Sequence, residues 1–248
     1  MANEPVPPDH VLSMDDMPDQ KLRTRIASIS LGNPSSGDNP DEMPLIQITG
    51  AAGQTAALMA IRSPVRLHVI GPLGDYSLSY CNRCDVRVDG NGGNGIAEGL
   101  CGGAIRFRGD VGHGAGVAMA AGTLAIYGSA GDRVGAAMLA GELFVRGDVG
   151  DDAGVAMRGG TLVVGGDAGE RLGDHRGLGT IYLRGNARSL AESMVEVPLK
   201  KRDELRLGVL LINASIRGAA KEFRRVIPER LWRFEQSRET GEVRPNWR

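Results

Sequence analysis

The residues of this chain that could do chemistry are three thiols and one column of acids. Cys81, Cys84 and Cys101 are its only cysteines. Three soft ligands in a C-x-x-C plus one arrangement could hold zinc or an iron–sulfur cluster if a fourth ligand arrived. No second C-x-x-C or neighbouring histidine completes the set, because His113 falls on another corner of the repeat set out below, so inert buried thiols are the competing reading. An odd, unpatterned cysteine count suits a reducing compartment, the cytoplasm. Asp75, Asn94, His113, Asp132, Asp151 and Glu170 recur at one fixed spacing. Such a column is either a groove for a cation or substrate, or a solvated edge whose repulsion Arg133 and Arg171 offset. Gly112, Gly114 and Gly116 in "GHGAG" have the composition of a phosphate loop. A dinucleotide fingerprint, however, needs one strand, one glycine loop and one following helix, and here glycines punctuate every unit. His175 and Arg176 in "GDHRGLG" interrupt the pattern, as a bend at the end of the array or as a contact to a partner's site.

The elements that position these residues are set by a period of 19. Gly109, Gly128, Gly147, Gly166 and Gly185 form one column, and Gly112, Gly131, Gly150 and Gly169 a second. Gly116, Gly135, Gly154 and Gly173 form a third, and Gly122, Gly141, Gly160 and Gly179 a fourth. Between them lies a short alternating segment: Ile105 and Phe107, Leu124 and Ile126, Leu143 and Val145, Leu162 and Val164, Ile181 and Leu183. The register extends back through Val86 and Val88 to Leu67 and Val69, and to Ile46 and Ile48 after a two-residue insertion. One strand per unit at this period is the mark of a solenoid whose coils cannot stand alone. The spacing predicts an all-β fold: a single-stranded, right-handed parallel β-helix with about eight strand positions.

The columns also sort by side. Both strand columns are apolar and predicted to face inward, as are Val111, Ala130, Val149, Ala168 and Ala187, and Ile96, Ala115, Val134, Ala153 and Leu172. Leu100, Met119, Met138 and Met157 make another inward column, in which unbranched thioethers fill an irregular interior. Glycine suits corners that need positive φ or leave no room for a Cβ. Asn91, Asp110, Ser129, Asp148, Asp167 and Asn186 follow the first glycine column and set turns by bonding nearby backbone N–H groups. Outward, Ala125, Phe144, Val163 and Tyr182 are apolar, with Tyr127 beside them, whereas the earlier equivalents are His68, Arg87 and Arg106. Such a strip marks a packing partner, either the chain's own C-terminal segment or another protein.

The chain divides into a flexible N-terminal arm (1–44), the β-helix (45–187) and a C-terminal docking segment (188–248). Its 248 residues hold 37 glycines and carry a net charge of −1. That balance hides eight acids against three bases in 1–44 and fourteen bases against nine acids in 187–248. The terminal bases are interleaved with Glu, Leu and Val, which argues against nucleic acid. Short helices are predicted over 203–213 and 219–231, the second ending near Pro228. Trp232, Phe234 and Trp247 among arginines suit a protein interface. The polar stretch after Met1 and the lack of an apolar run of about 18 residues predict neither leader nor membrane span.

The run "GGAIRFRGDVGHGAGVAMAAGTLAIYGSAGDRVGAAMLAGELFVRGDVGDDAGVAMRGGTLVVGGDAGERLGD" resembles the GXGXG domain at the C-terminus of the glutamate synthase large subunit, and the resemblance spans 45–187. The module also occurs as a free-standing subunit. It is found in glutamate synthase-like complexes, including N-methylglutamate synthase (methylamine-glutamate N-methyltransferase), and in formylmethanofuran dehydrogenase and the related formyltransferase/hydrolase complex. The tail "KEFRRVIPERLW" is similar to the ending of the glutamate synthase-like group. The resemblance implies a noncatalytic scaffold within a hetero-oligomer. Its partners would be a glutaminase-like, class II amidotransferase subunit and a separate subunit bearing FMN and an iron–sulfur cluster. No catalytic or cofactor-binding residue is then expected in this chain: residue 2 is Ala rather than a nucleophilic Cys, and there is no repeat long enough for an FMN barrel. The alternatives are the one-carbon formyl complex, or a chain that holds a metal at its cysteine corner.

Overall fold

A computed structural model of the chain describes residues 7–32, 39–174, 177–214 and 218–239. Eight parallel strands stack in sequence order: β2 (Leu45–Thr49), β3 (Val65–Ile70), β4 (Cys84–Asp89), β5 (Cys101–Phe107), β6 (Ala121–Ile126), β7 (Glu142–Val145), β8 (Thr161–Val164) and β9 (Thr180–Leu183). These are the eight expected positions of a parallel β-helix. The register is as the columns require, with Leu67 opposite Val86, Val86 opposite Ile105 and Leu143 opposite Leu162. Ile46 lies opposite Leu67, so the two-residue insertion falls in the first coil. A second parallel line of bridges runs from Leu73 through Gly92, Val111, Ala130, Val149 and Ala168 to Ala187.

The interior is apolar: Ile105, Phe107, Leu124, Ile126, Leu143, Val145, Leu162 and Val164 are fully buried. Glycine serves it in two ways. At Gly150 a Cβ would lie 2.7 Å from the Asp132 nitrogen and 2.9 Å from its Cα, so the neighbouring coil leaves no room for one. At Gly135 the nearest atom to a Cβ would be 3.6 Å away, but φ is +66° and the backbone is left-handed. That corner column shrinks along the stack from Leu58 and Leu78 through Ala97 to Gly116, Gly135 and Gly154. The column three residues on ends in the longer Met119, Met138 and Met157, all buried. A Cβ on Gly154 would sit 3.0 Å from Met157 Sδ, so thioether and missing side chain fill one volume between them.

The turn acids and amides act between coils rather than within them. Asn91 Oδ1 accepts the Asp110 N–H at 3.1 Å, Asp110 Oδ1 that of Ser129 at 2.7 Å, and Ser129 Oγ that of Asp148 at 3.1 Å. Asp148 Oδ1 accepts from Asp167 at 2.8 Å, and Asp167 Oδ1 from Asn186 at 2.7 Å. The column of acids at the next corner forms a second ladder. Asp75 accepts the Asn94 N–H at 2.7 Å, Asn94 that of His113 at 2.8 Å, and His113 Nδ1 that of Asp132 at 2.9 Å. Asp132 accepts from Asp151 at 2.9 Å and Asp151 from Glu170 at 2.7 Å. The carbonyls of these residues already accept from the preceding coil, as Asp110 does from Gly92 and Asp151 from Arg133, so their side chains supply the acceptor for the next.

Both ends depart from expectation. The N-terminal segment is not a flexible arm over its described part. β1 (His10–Ser13) pairs in parallel with β2, and α1 (Asp19–Leu31) buries Leu22 and Ile26 on the first coil. Asp19 accepts the Leu58 N–H at 2.8 Å and Ser30 donates to the Pro64 carbonyl at 3.0 Å. A stack open at its first coil would expose core, and this cap covers it. At the other end, β10 (Met194–Val197) and α2 (Lys201–Asn213) precede β11 (Arg224–Pro228) and α3 (Glu229–Glu239). The helix expected over 219–231 is therefore a 3-10 turn (Ala220–Glu222), then β11, with α3 beginning after Pro228 instead of ending there. β11 runs antiparallel to β9, with Val226 opposite Ile181, and β10 pairs with its far edge. Alternation decides this: Val226 faces the interior, whereas Phe223 and Arg225 face the outer helices.

These contacts rank substitutions by thermal midpoint. Gly150→Ala, forced against the neighbouring backbone, is expected to cost about 1–3 kcal/mol, and Gly135→Val a similar amount through its left-handed φ. Asp151→Ala removes one rung and is expected to cost about 1 kcal/mol. Gly208, inside α2 with nothing within 4 Å of a Cβ, should gain about 0.5–1 kcal/mol as Ala. Equal tolerance at Gly150 and Gly208 would rule out the close stacking.

Candidate functional site

The cysteine corner separates into two environments. Cys81 and Cys84 are buried side by side at the start of β4, and Cys81 donates to the Leu58 carbonyl at 3.4 Å. A hydrogen bond from Cys84 holds the Cys81 sulfur below the ordinary thiol range against the pull of burial. The same bond, with burial, pushes Cys84 up. Cys101 is exposed and bonds the Gly99 carbonyl at 3.1 Å. The three thiols thus form a buried pair and a separate surface group. Among the described residues no three His, Cys, Asp or Glu side chains gather to hold a metal. An open cleft of about 310 Å³ beside the pair is lined by Met43, Asn82, Arg83, Asp85 and Ala104.

The two ladders flank a groove of about 560 Å³ that includes Asp132, Asp148, Asp151, Asp167 and Arg188. Its carboxylates already accept backbone N–H groups of the next coil, and Arg171 holds Asp152 at 2.7 Å. The Asp152 carboxyl is held below its usual range by that bond and charge. The column is thus bonded along its length rather than simply solvated, and "GHGAG" is one corner of one coil. His175, Arg176 and Trp247 lie outside the described residues.

The outward apolar strip has a definite occupant. Ala125, Phe144, Val163 and Tyr182 are buried beneath Leu207, Leu210 and Leu211 of α2, with Ala214 at its C-terminal end and Phe223. The helix crosses the strands. Its N-terminal end is tied to β11 through Asp203 and Arg225 (3.4 Å), Arg206 reaches the Thr161 hydroxyl in β8 at 3.2 Å, and Tyr127 donates to the Ala214 carbonyl at 2.8 Å. Phe144, Val163 and Tyr182, taken from sequence as interface candidates, are therefore internal contacts, and burial raises the Tyr182 hydroxyl. Trp232 is half-buried in α3, with Lys200 over its ring at 6.0 Å.

Two charged groupings were not singled out by sequence reasoning. Arg225, nearly inaccessible, binds Glu235 at 2.6 Å and Asp203 at 3.4 Å, and Lys200 adds a 3.0 Å contact to Glu235, joining β11, α2 and α3. On the uncovered face, Asp89 receives His68 at 2.8 Å, Arg87 at 3.0 Å and Arg108 at 3.1 Å, while Arg106 pairs with Asp85 at 2.5 Å. Burial would raise the Asp89 carboxyl, but bonds from Arg87 and His68 and the nearby charges hold it low. The period could have found this group, since Asp89, Arg108, Tyr127 and Arg146 form the outward column next to the apolar one. No family model and no curated protein matches the chain.

Two outcomes test the covered face. Phe144→Ala should cost about 3–5 kcal/mol and make α2 accessible to trypsin at Lys201 and Arg202, and unchanged protection would refute the docking. Burial alone would raise Glu235, yet bonds from Arg225 and Lys200 hold it below the usual range. Its contribution is therefore present above the unfolded carboxylate range, about 4.3, and lost as pH falls through the lowered native value. Glu235→Gln should lower the thermal midpoint more at pH 7 than at pH 3, and a pH-independent difference would show that its charge is immaterial.

Proposed function

We propose that the chain is the noncatalytic scaffold subunit of a glutamate synthase-type complex, serving glutamate or N-methylglutamate synthesis in the cytoplasm. It would hold a glutaminase-like subunit and an FMN- and iron–sulfur-bearing subunit in fixed relation. The observation that carries the reading is the use of the repeat's polar side chains. The polar side chains of residues 91–186 bond the next coil, which supports reading the stack as a spacer whose acids serve the fold. The resemblance of residues 102–174 to the GXGXG domain supports the same assignment. The tail "KEFRRVIPERLW" favours the glutamate synthase-like group over the one-carbon formyl complex, and here it supplies β11 and the start of α3 that finish the stack. Reaction chemistry, flavin and cluster would reside on the partner chains.

A tagged chain purified from its native host, analysed by mass spectrometry and flavin absorbance, tests this. Co-purification of a glutaminase-like chain with a yellow FMN-bearing chain is the expected result. Recovery of amidohydrolase-like and formyltransferase chains would reassign the subunit to one-carbon chemistry.

A further inference from the structure

The outward face of the stack changes character where α2 stops. Beneath the helix the outward strand positions are apolar, and past its C-terminal end they become His68, Arg87 and Arg106. There an open trough of about 570 Å³ is lined by Arg87, Arg106, Arg108, Tyr127 and Arg146. Four guanidinium groups meet two carboxylates: Asp85 engages Arg106, and Asp89 is divided among Arg87, Arg108 and His68. Arg146 is exposed and its side chain has no partner among the described residues. Arg108 is 59 % exposed despite its ion pair. The trough therefore holds a surplus of positive charge presented by guanidinium forks, which suit carboxylates bidentately.

An apolar ridge ends beside the trough. On α2, Leu205, Val209 and Ile212 are 72, 57 and 76 % exposed, on the face away from buried Leu207, Leu210 and Leu211. Their spacing makes one stripe along the helix. It runs toward the Ala214 carbonyl, held by Tyr127, itself a wall of the trough. Among the described residues none of these three side chains belongs to either buried cluster. We propose that ridge and trough together receive an amphipathic acidic segment of a partner protein, its apolar residues on Leu205, Val209 and Ile212 and its carboxylates on Arg108 and Arg146. The aliphatic ridge favours a protein segment over a nucleic-acid backbone, for which it offers no contact. The surface is the same whichever complex the chain serves.

The test uses the full chain at physiological salt and fluorescence anisotropy with labelled probes. One is a peptide of about four helical turns bearing a leucine stripe followed by glutamates, another is its lysine-for-glutamate counterpart, and the others are decaglutamate and an oligothymidylate. The acidic amphipathic peptide should bind at least about tenfold more tightly than the other three. Arg108→Ala with Arg146→Ala should weaken it about tenfold, as should Val209→Ser with Ile212→Ser. Arg133→Ala, at a corner outside the trough, should leave it unchanged. All these side chains are at the surface, so circular dichroism should report an intact fold. Equal binding of the glutamate and lysine peptides, or indifference to both double variants, would overturn the proposal. So would tighter binding of the oligothymidylate, or displacement of the peptide by millimolar inorganic phosphate alone.

Discussion

Each coil of this protein must answer the backbone of the coil beside it at the spacing of adjacent strands, about 4.8 Å, and most of its sequence follows from that demand. Along β2 to β9 the ladder meets it directly. At the corner positions that carry the ladders the residue's own carbonyl is taken by the preceding coil, as Asp110 and Asp132 accept from Gly92 and Gly114, so Asp, Asn, Ser and once His supply a side-chain acceptor to the next. A side chain that bonds across the stack needs its neighbour's backbone close by. The residue preceding each acceptor in the second ladder is accordingly a glycine, as Gly150 precedes Asp151 over Asp132. Glycine columns and acid columns are thus one device, and the methionines complete it inward by filling the volume that corner glycines leave.

A stack built this way has two ends, and neither can be made of repeat. The first coil would leave Ile46 and Ile48 beside solvent without β1 and α1, and the last would leave Ile181 and Leu183 open without β11. The C-terminal solution turns the sheet antiparallel, and so stops further parallel growth at an edge that would otherwise invite another chain. It also buries Arg225, which is tolerable only because Asp203, Glu235 and Lys200 arrive with it from two helices and the loop before α2. That network ties α2 to the end cap and starts the helix on its path across the apolar strip.

The legibility of these parts in the sequence follows from repetition. A corner glycine or an inward methionine recurs at 19 residues, so each column is read several times over, and the strand register came through, including the insertion before Leu67. The caps occur once each. Leu22 and Ile26 are a two-residue signal in a segment whose Pro and Asp content suggests disorder, and Val226 and Ile227 sit among bases that suit a helix equally well. The apolar strip was visible and the C-terminal segment was one of its two expected occupants, but the choice between that segment and another protein was not, because the pairing of Phe144 with α2 joins residues more than 60 apart in the chain. The acid column was legible as a stack and its bonding was not: spacing shows that Asp132 and Asp151 are neighbours, while only the fold shows that Asp132 accepts from the Asp151 backbone.

The same logic bears on where specificity can reside. Positions inside the period are committed, since an acid at a corner is a rung and an apolar outward residue under α2 is core. Side chains free to vary with a partner lie where the period and the fold part company. The outward column is the clearest case, running His68, Arg87, Arg106 and then Ala125, Phe144, Val163, Tyr182, with the change at the point where α2 ends. A column serving only the stack would have no reason to switch. The switch therefore divides one face between an intramolecular role and an exterior one, and a chain that spends its repeat on stiffness keeps its recognition chemistry at that boundary.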